Sequence, residues 1–231
     1  MAETPAATVR KDARDAMRRA ILDAALGQLA TTGADALSVR SVAREVGLAS
    51  SAIYRHIPSR DALLTELIVE GYDALGAAAE AAEATVDREE VRARFAATGR
   101  AVRTWARANP YHYALLYGSP VPGYVAPETT IAPAARVAMV LAQILVDAAA
   151  AGLDGGAGEP PDPGTLGVDL LDLFGVTIDD GAAFRGLLAW ISLFGVVSFE
   201  LFGHLVGSVA EPDRFFDATL VALMDEIGLP R

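Results

Sequence analysis

Apolar positions recur at helical spacing through almost the whole chain, and strand-like alternation is not seen, so an all-α fold is expected. The first pattern runs over residues 10–31, with Met17, Ile21, Ala24, Ala25 and Leu29 on one face and Gly33 at its end. A second, short pattern places Val39, Val42, Ala43 and Val46 on one side, with Ser38 available as its cap and Gly47 where a helix must end with positive φ. Leu48 then returns to the core. Ser50 and Ser51 open a further short helix, Ile53 and Ile57 face inward, and Pro58 stops it. Ser59 restarts the chain as the cap of a long helix to about Ala82, with Asp61 in its first turn.

The remainder is read in the same way. Asp87 is expected to cap a helix to about Ala108, and Asn109-Pro110 to open a short aromatic one over 111–117. A Gly/Pro-rich loop, GSPVPGYVAPET, precedes an apolar helix over 132–151 that ends at Gly152. Two more helices are expected over 180–207 and 212–227. The resulting organisation is a disordered tail over 1–9, a three-helix head over 10–58, and a helical body over 59–231. A flexible, Gly/Pro/acid-rich insert lies at about 153–166.

Leu187–Gly207 is nearly long enough to span a bilayer, but Glu200 and His204 lie one turn apart inside it, three glycines interrupt it, and no basic loop flanks it. A helix apolar on almost every side is instead buried against its own domain and against a partner. With the final helix it is expected to form half of a four-helix interface in a homodimer, where Gly195, Ser198 and Gly203 permit close approach. No membrane partner is expected. The Glu200–His204 spacing reads as a structural pair, because no third ligand for a metal is visible.

The pattern of the head leaves Ser38, Arg40, Ser50, Ser51, Tyr54, Arg55, His56 and Arg60 outside a buried face. Two short helices joined by a Gly-centred turn, with polar and cationic residues on the outer side, have the layout of a helix-turn-helix that enters a DNA major groove. Charge divides the same way: residues 1–60 carry a net +3 and residues 61–231 a net −14, within the −11 of the whole chain. An acidic body confines nucleic-acid contact to the basic head and makes it strongly salt-dependent.

The run Val42-Ala43 through Gly47-Leu48 to Ile53-Tyr54-Arg55-His56-Ile57, followed by Ser59-Arg60-Asp61-Ala62-Leu63-Leu64, resembles the DNA-binding domain of the TetR family of bacterial transcriptional regulators. It departs from the family's habit at Ala49, Ser51, Ile57 and Arg60; the missing hydroxyl at Ala49 leaves the cap of the recognition helix to Ser50. Asn109-Pro110-Tyr111, residues 115–124, and Trp190 with Gly195 and Glu200 are similar to family members whose C-terminal domain is named for a Trp-His-Gly pattern, with Phe194 in place of the histidine. The resemblance implies a cytoplasmic homodimer that occupies a pseudo-palindromic, double-stranded operator and is released by a small-molecule effector.

Within that reading Arg40 and Ser50 are candidates for base-edge contacts, and Ser51, Tyr54, His56 and Arg60 for phosphates. Trp105, Tyr111, Tyr113, Tyr117, Met139, Phe174 and Trp190 are candidates to line an apolar effector cavity, the alternative being ordinary core aromatics. His112 reads as a surface or helix-start histidine.

The chain has no cysteine, and its N-terminus has no apolar stretch of the kind a secretory signal needs. It shows no nucleophile elbow, phosphate loop or HExxH, so neither catalysis nor a cofactor is expected. A regulator controlled by a protein partner, or by no effector, stays open as an alternative. A small-molecule-binding protein or enzyme with a vestigial head stays open as another.

Overall fold

Pro5 has the fixed φ of a first helical residue and no N–H to leave unsatisfied, and alanines follow it; the chain is helical from that point. A computed structural model describes residues 5–153, 162, 166 and 179–231. Among the described residues there are eight α-helices and no strand: α1 (Pro5–Thr32), α2 (Val39–Glu45), α3 (Arg60–Glu83), α4 (Val91–Ala108), α5 (Pro110–Tyr117), α6 (Ile131–Ala151), α7 (Asp180–Leu201) and α8 (Pro212–Ile227). Two single 3-10 turns, Ile53–Arg55 and Glu128–Thr130, complete the set. The expected all-α architecture is therefore the one observed.

Three expectations need correcting. Residues 5–9 of the expected disordered tail are helical, while residues 1–4 lie outside the described residues. Asp87 does not cap α4: residues 84–90 form turns, and the helix begins after Glu90 with no side-chain cap. Asn109 also closes α4, its Nδ2 donating to the Trp105 carbonyl at 2.9 Å, and α5 begins at Pro110. The helix expected over 180–207 ends at Leu201, where Gly203 and Gly207, both with φ near +80°, turn the chain. The insert at 153–166 lies almost wholly outside the described residues.

The chain divides into two compact units, residues 1–71 with 111–131, and residues 72–110 with 132–231. The first is held by the apolar faces of α1, α2 and the start of α3: Ile21, Ala25, Val42, Ala43, Ile53, Ile57, Leu63, Leu64 and Leu67 have no exposed surface. Ser59 Oγ accepts from the Ala62 N–H at 3.0 Å and caps α3 as expected. Ser59→Ala should lower stability by about 1 kcal/mol, read as a shift of the urea unfolding midpoint at unchanged slope.

In the second unit α4, α7 and α8 pack on one another around Phe95, Val102, Leu193, Val197, Phe216 and Leu220. Asp179 caps α7 by accepting from the Ala182 N–H at 3.0 Å. Two arginines of α4 are buried in this unit. Arg103 makes a two-pronged pair with Glu200 at 2.6 and 2.7 Å, a further bridge to Asp213 at 2.7 Å, and lies 4.8 Å over the Phe216 ring. Glu200 thus pairs with Arg103 and not with His204, which sits on the Phe199 ring at 5.1 Å. The pairing expected from the one-turn spacing gives way to a guanidinium that offers two parallel donors.

Two helical segments, residues 128–151 and Asp180–Leu201, are long and apolar enough, by length and composition, to cross a bilayer. In the second unit each of them buries one stripe: Val137, Leu141, Ile144 and Ala148 in the first, and Ala182, Ala189, Leu193 and Val197 in the second.

Candidate nucleic-acid interface

The presentation of residues 38–57 begins with the ends of α2. Ser38, in extended conformation, caps it by accepting from the Ser41 N–H at 3.4 Å, and its own N–H donates to Gln28 Oε1 at 3.4 Å. At the other end Gly47 takes φ +72°; its N–H reaches the Arg44 carbonyl and the Leu48 N–H reaches that of Ala43. These two bonds form a Schellman motif, which satisfies the last carbonyls of the helix and throws Leu48 back toward the core. Any side chain at position 47 would strain this backbone.

The next stretch departs from expectation. Ser50 and Ser51 do not open an α-helix; they lie in a turn that runs into the 3-10 turn Ile53–Arg55, whose cap position is Ala52 and carries no side-chain bond. Ser50 therefore does not take over the capping role. The backbone bonds of this stretch are mainly three residues apart, as in the Ala52 N–H to the Ala49 carbonyl and the His56 N–H to the Ile53 carbonyl, each 2.8 Å. Pro58 disfavours a helical Ile57 and so ends the turn there. A three-residue 3-10 turn offers little aligned dipole, and the anion-attracting helix start expected at Ser50 is not formed.

The division of faces holds nonetheless. Ile53 and Ile57 are completely buried, while Arg40, Ser50, Ser51, Tyr54 and Arg55 are exposed and His56 is half-buried. Arg44, not singled out from the sequence, is exposed one turn beyond Arg40 on α2, and its Nη2 reaches Ser41 Oγ at 3.5 Å. The i, i+4 spacing of the two arginines was the available signal. Arg60 is placed differently: its Nη2 donates to the carbonyls of Ala34 at 2.9 Å and Asp35 at 3.4 Å, so its guanidinium ties the α1–α2 link to the start of α3.

Behind this face, α1 and α3 are joined by the Arg18–Glu66 pair at 2.9 Å and by Arg19 with Glu70. Burial raises the Glu66 carboxyl above its ordinary range, with Arg18 opposing and Glu70 adding to the rise. His112 is half-buried, closer in than a surface histidine: a methyl group at Gly71 would sit 3.2 Å from its ring. Burial holds its pKa below the usual histidine value, against the pull of Glu70.

The aromatic candidates fall into both units. Tyr113, fully buried, and Tyr117 lie together on α5 with ring centres 5.0 Å apart, in the first unit; Tyr111 is exposed. Trp105, half-buried, Met139, 37% exposed, and Trp190 belong to the second, where Trp190 lies 5.6 Å from the Phe194 ring. Phe174 lies outside the described residues.

Residues 21–67 match the model of the bacterial regulatory proteins of the tetR family, and residues 95–223 match that of the tetracyclin repressor-like C-terminal domain. An HTH-type transcriptional regulator of Mycobacterium tuberculosis is 36% identical over 98% of this chain and all of its own length. The chain belongs to the TetR family. Among solved structures the TetR-family chain is similar to the regulatory protein SCO4313 (33% identical, 93% of this chain, 98% of that one, TM-score 0.71). It is also similar to a protein of unknown function from Rhodococcus sp. RHA1 (29% identical, 90% and 93%, TM-score 0.68). The TetR-family membership makes residues 38–57 part of a DNA-binding domain and the protein a transcriptional regulator. Such regulators are typically dimeric and cytoplasmic, and they are generally not enzymes.

Proposed function

We propose that this TetR-family regulator is a dimeric repressor that occupies a pseudo-palindromic operator and is released from it by a small apolar effector. The observation that carries the DNA side is the partition of residues 38–57, where two isoleucines are fully buried while Arg40 on α2, Ser50 and Ser51 in the turn, and Tyr54 and Arg55 on the 3-10 turn are exposed. Arg40 and Ser50 read base edges, with Arg40 offering a guanine the two-pronged donor pattern that an arginine fork matches. Ser38, Ser51, Tyr54, Arg55 and His56 hold the backbone, and Arg44 joins them. Arg60 acts within the head, by fixing the α1–α2 link.

For the effector, support comes from aromatic or soft side chains with few polar tips inside the second unit, Trp105, Met139 and Trp190 beside Phe194, which suit an apolar ligand; Tyr113 and Tyr117 belong to the first unit. To release DNA, that ligand must favour the non-binding conformation by a few kcal/mol.

Selection of random duplexes by the purified protein should yield a two-fold-symmetric site, bound about a thousandfold or more above scrambled DNA. Arg40→Ala should cost about 1–3 kcal/mol on that site and relax one base preference in each half. An unenriched pool, with weak binding that collapses uniformly with salt, would refute the reading.

A further inference from the structure

Residues 111–131 come between α4 and α6 in the chain, yet they belong to the first unit, with the DNA-binding head. Within them Leu115, Val121 and Tyr124 pack against the same apolar cluster that holds α1, α2, the 3-10 turn and α3. The seat is shaped by a tight turn. The Tyr124 N–H reaches the Val121 carbonyl at 3.1 Å, Pro122 supplies a fixed φ, and Gly123 takes φ +76°. That sequence and geometry are those of a type II turn, which needs glycine at its third position. It reverses the chain and brings Val121 and Tyr124 onto one side.

Tyr124 then reaches α3. Its hydroxyl lies 3.0 Å from Thr65 Oγ1, and Thr65 Oγ1 donates to the Asp61 carbonyl at 2.9 Å. Thr65 has one hydroxyl proton, so the phenol is the donor between them. The contact falls on the turn of α3 that contains the buried Leu63 and Leu64, directly after Arg60, which holds the carbonyls of Ala34 and Asp35. A displacement of Tyr124 therefore acts on the residues that set how α1, α2 and the 3-10 turn are held together.

We propose that the Val121–Tyr124 turn is a positioning brace for the DNA-binding head, and that it couples the head to α4 and α6, to which residues 111–131 are joined at their two ends. The inference rests on the DNA-binding reading. Residues 111–131 cannot be drawn by α4 or α6 without moving Tyr124 on α3, whereas α3 alone provides a single helical connection. By linkage, a coupling of this kind works in both directions, so operator binding to the head must register in α4 and α6.

The experiment needs no effector. Amide hydrogen exchange over residues 91–108 and 131–151 is measured with and without the selected operator, for the wild type, Tyr124→Phe and Tyr124→Ala. Operator should slow exchange in both segments of the wild type, and Tyr124→Ala should abolish that response. Tyr124→Phe keeps the ring on the core and loses only the hydrogen bond to Thr65; it should retain the response and bind operator about 2–10-fold more weakly. If Tyr124→Ala unfolds the head, the decision passes to Tyr124→Phe, and operator affinity within twofold of wild type overturns the brace. A wild-type protein whose α4 and α6 do not respond to operator overturns it too, as does a Tyr124→Ala response equal to wild type. No selected operator at all would be failure of the DNA-binding reading, a separate result.

Discussion

Arg94→Ala should destabilise the protein by about 3–5 kcal/mol. Arg94 is 2% exposed, and its guanidinium is surrounded by acceptors: Glu83 at 2.5–2.6 Å, Asp147 at 2.7 Å, and the Arg88 carbonyl at 2.9 Å. It joins the end of α3, the start of α4 and the last turns of α6 through one planar group, for which a fork of donors is better suited than an ammonium. Alanine leaves the Glu83 and Asp147 carboxylates facing each other, with the exposed cation Arg88 and the neutral Gln143 on Asp147. The penalty comes from the stranded charges more than from the lost bonds. A triple change of Arg94, Glu83 and Asp147 to apolar residues of similar volume should accordingly cost much less than Arg94→Ala alone. Urea unfolding at fixed protein concentration measures both, and a loss below about 1 kcal/mol for Arg94→Ala would refute the account.

The same network has a pH signature. Burial pushes the Asp147 carboxyl up, but hydrogen bonds from Arg94, Arg88 and Gln143 outweigh burial and hold it below the ordinary value of 3.8. A carboxyl with a depressed folded pKa contributes stability that is fully present above its unfolded value and is lost as pH falls through the folded one. Wild type should therefore lose stability below about pH 4, and the part of that loss due to Asp147 should be missing from Asp147→Asn, whose stability at neutral pH is already reduced.

Local signals made the head legible. Ser38, Gly47, Pro58 and Ser59 each determine a backbone event within four residues of themselves, and all four events occur where the residues stand. The 3-10 character of Ile53–Arg55 was not legible, because periodicity assigns a side to Ile53 and Ile57 equally well in a 3-10 turn with one α-type bond and in a short α-helix. Long-range partners were hidden for a different reason. Arg94 reads as a surface residue of an amphipathic helix until Asp147, fifty-three residues away, is brought beside it. Arg60 and Tyr124 behave alike: a cation at a helix start and a tyrosine in a Pro/Gly loop carry no local mark of Ala34 or Thr65. Glu200 showed how local spacing misleads, since His204 is one turn away in sequence while the better donor, Arg103, is ninety-seven residues back.

Ile191→Asp combined with Val221→Asp should convert the protein to a monomer and weaken operator binding by about 10²–10⁴-fold, without a loss of helix content. On α7 Leu188, Ile191, Ser192 and Phe199 are exposed with Gly195 half-buried among them, and Phe202, the residue that follows the helix, is exposed too; positions 188, 191, 195, 199 and 202 follow one another at three- and four-residue steps. A methyl group built at Gly195 meets nothing within 4 Å, which leaves room there for another backbone. On α8, Phe215 and Val221 are likewise exposed, at 42% and 49%. Apolar residues repeated on two adjoining helices of one unit are costly to leave in water, and each large side chain covered returns about 1.5–3 kcal/mol. The surface suits a second copy of itself, because a two-fold axis brings each residue opposite a patch of the same composition. Two carboxylates per chain, four across the axis, would be desolvated without partners and would repel one another. The cost to DNA binding follows from geometry: two heads on one dimer make the second half-site contact intramolecular, and separating them removes that effective concentration. Sedimentation and operator titration on the same samples test the chain of reasoning. A double variant that stays dimeric would place the interface elsewhere, whereas a monomer with wild-type operator affinity would show that one head suffices.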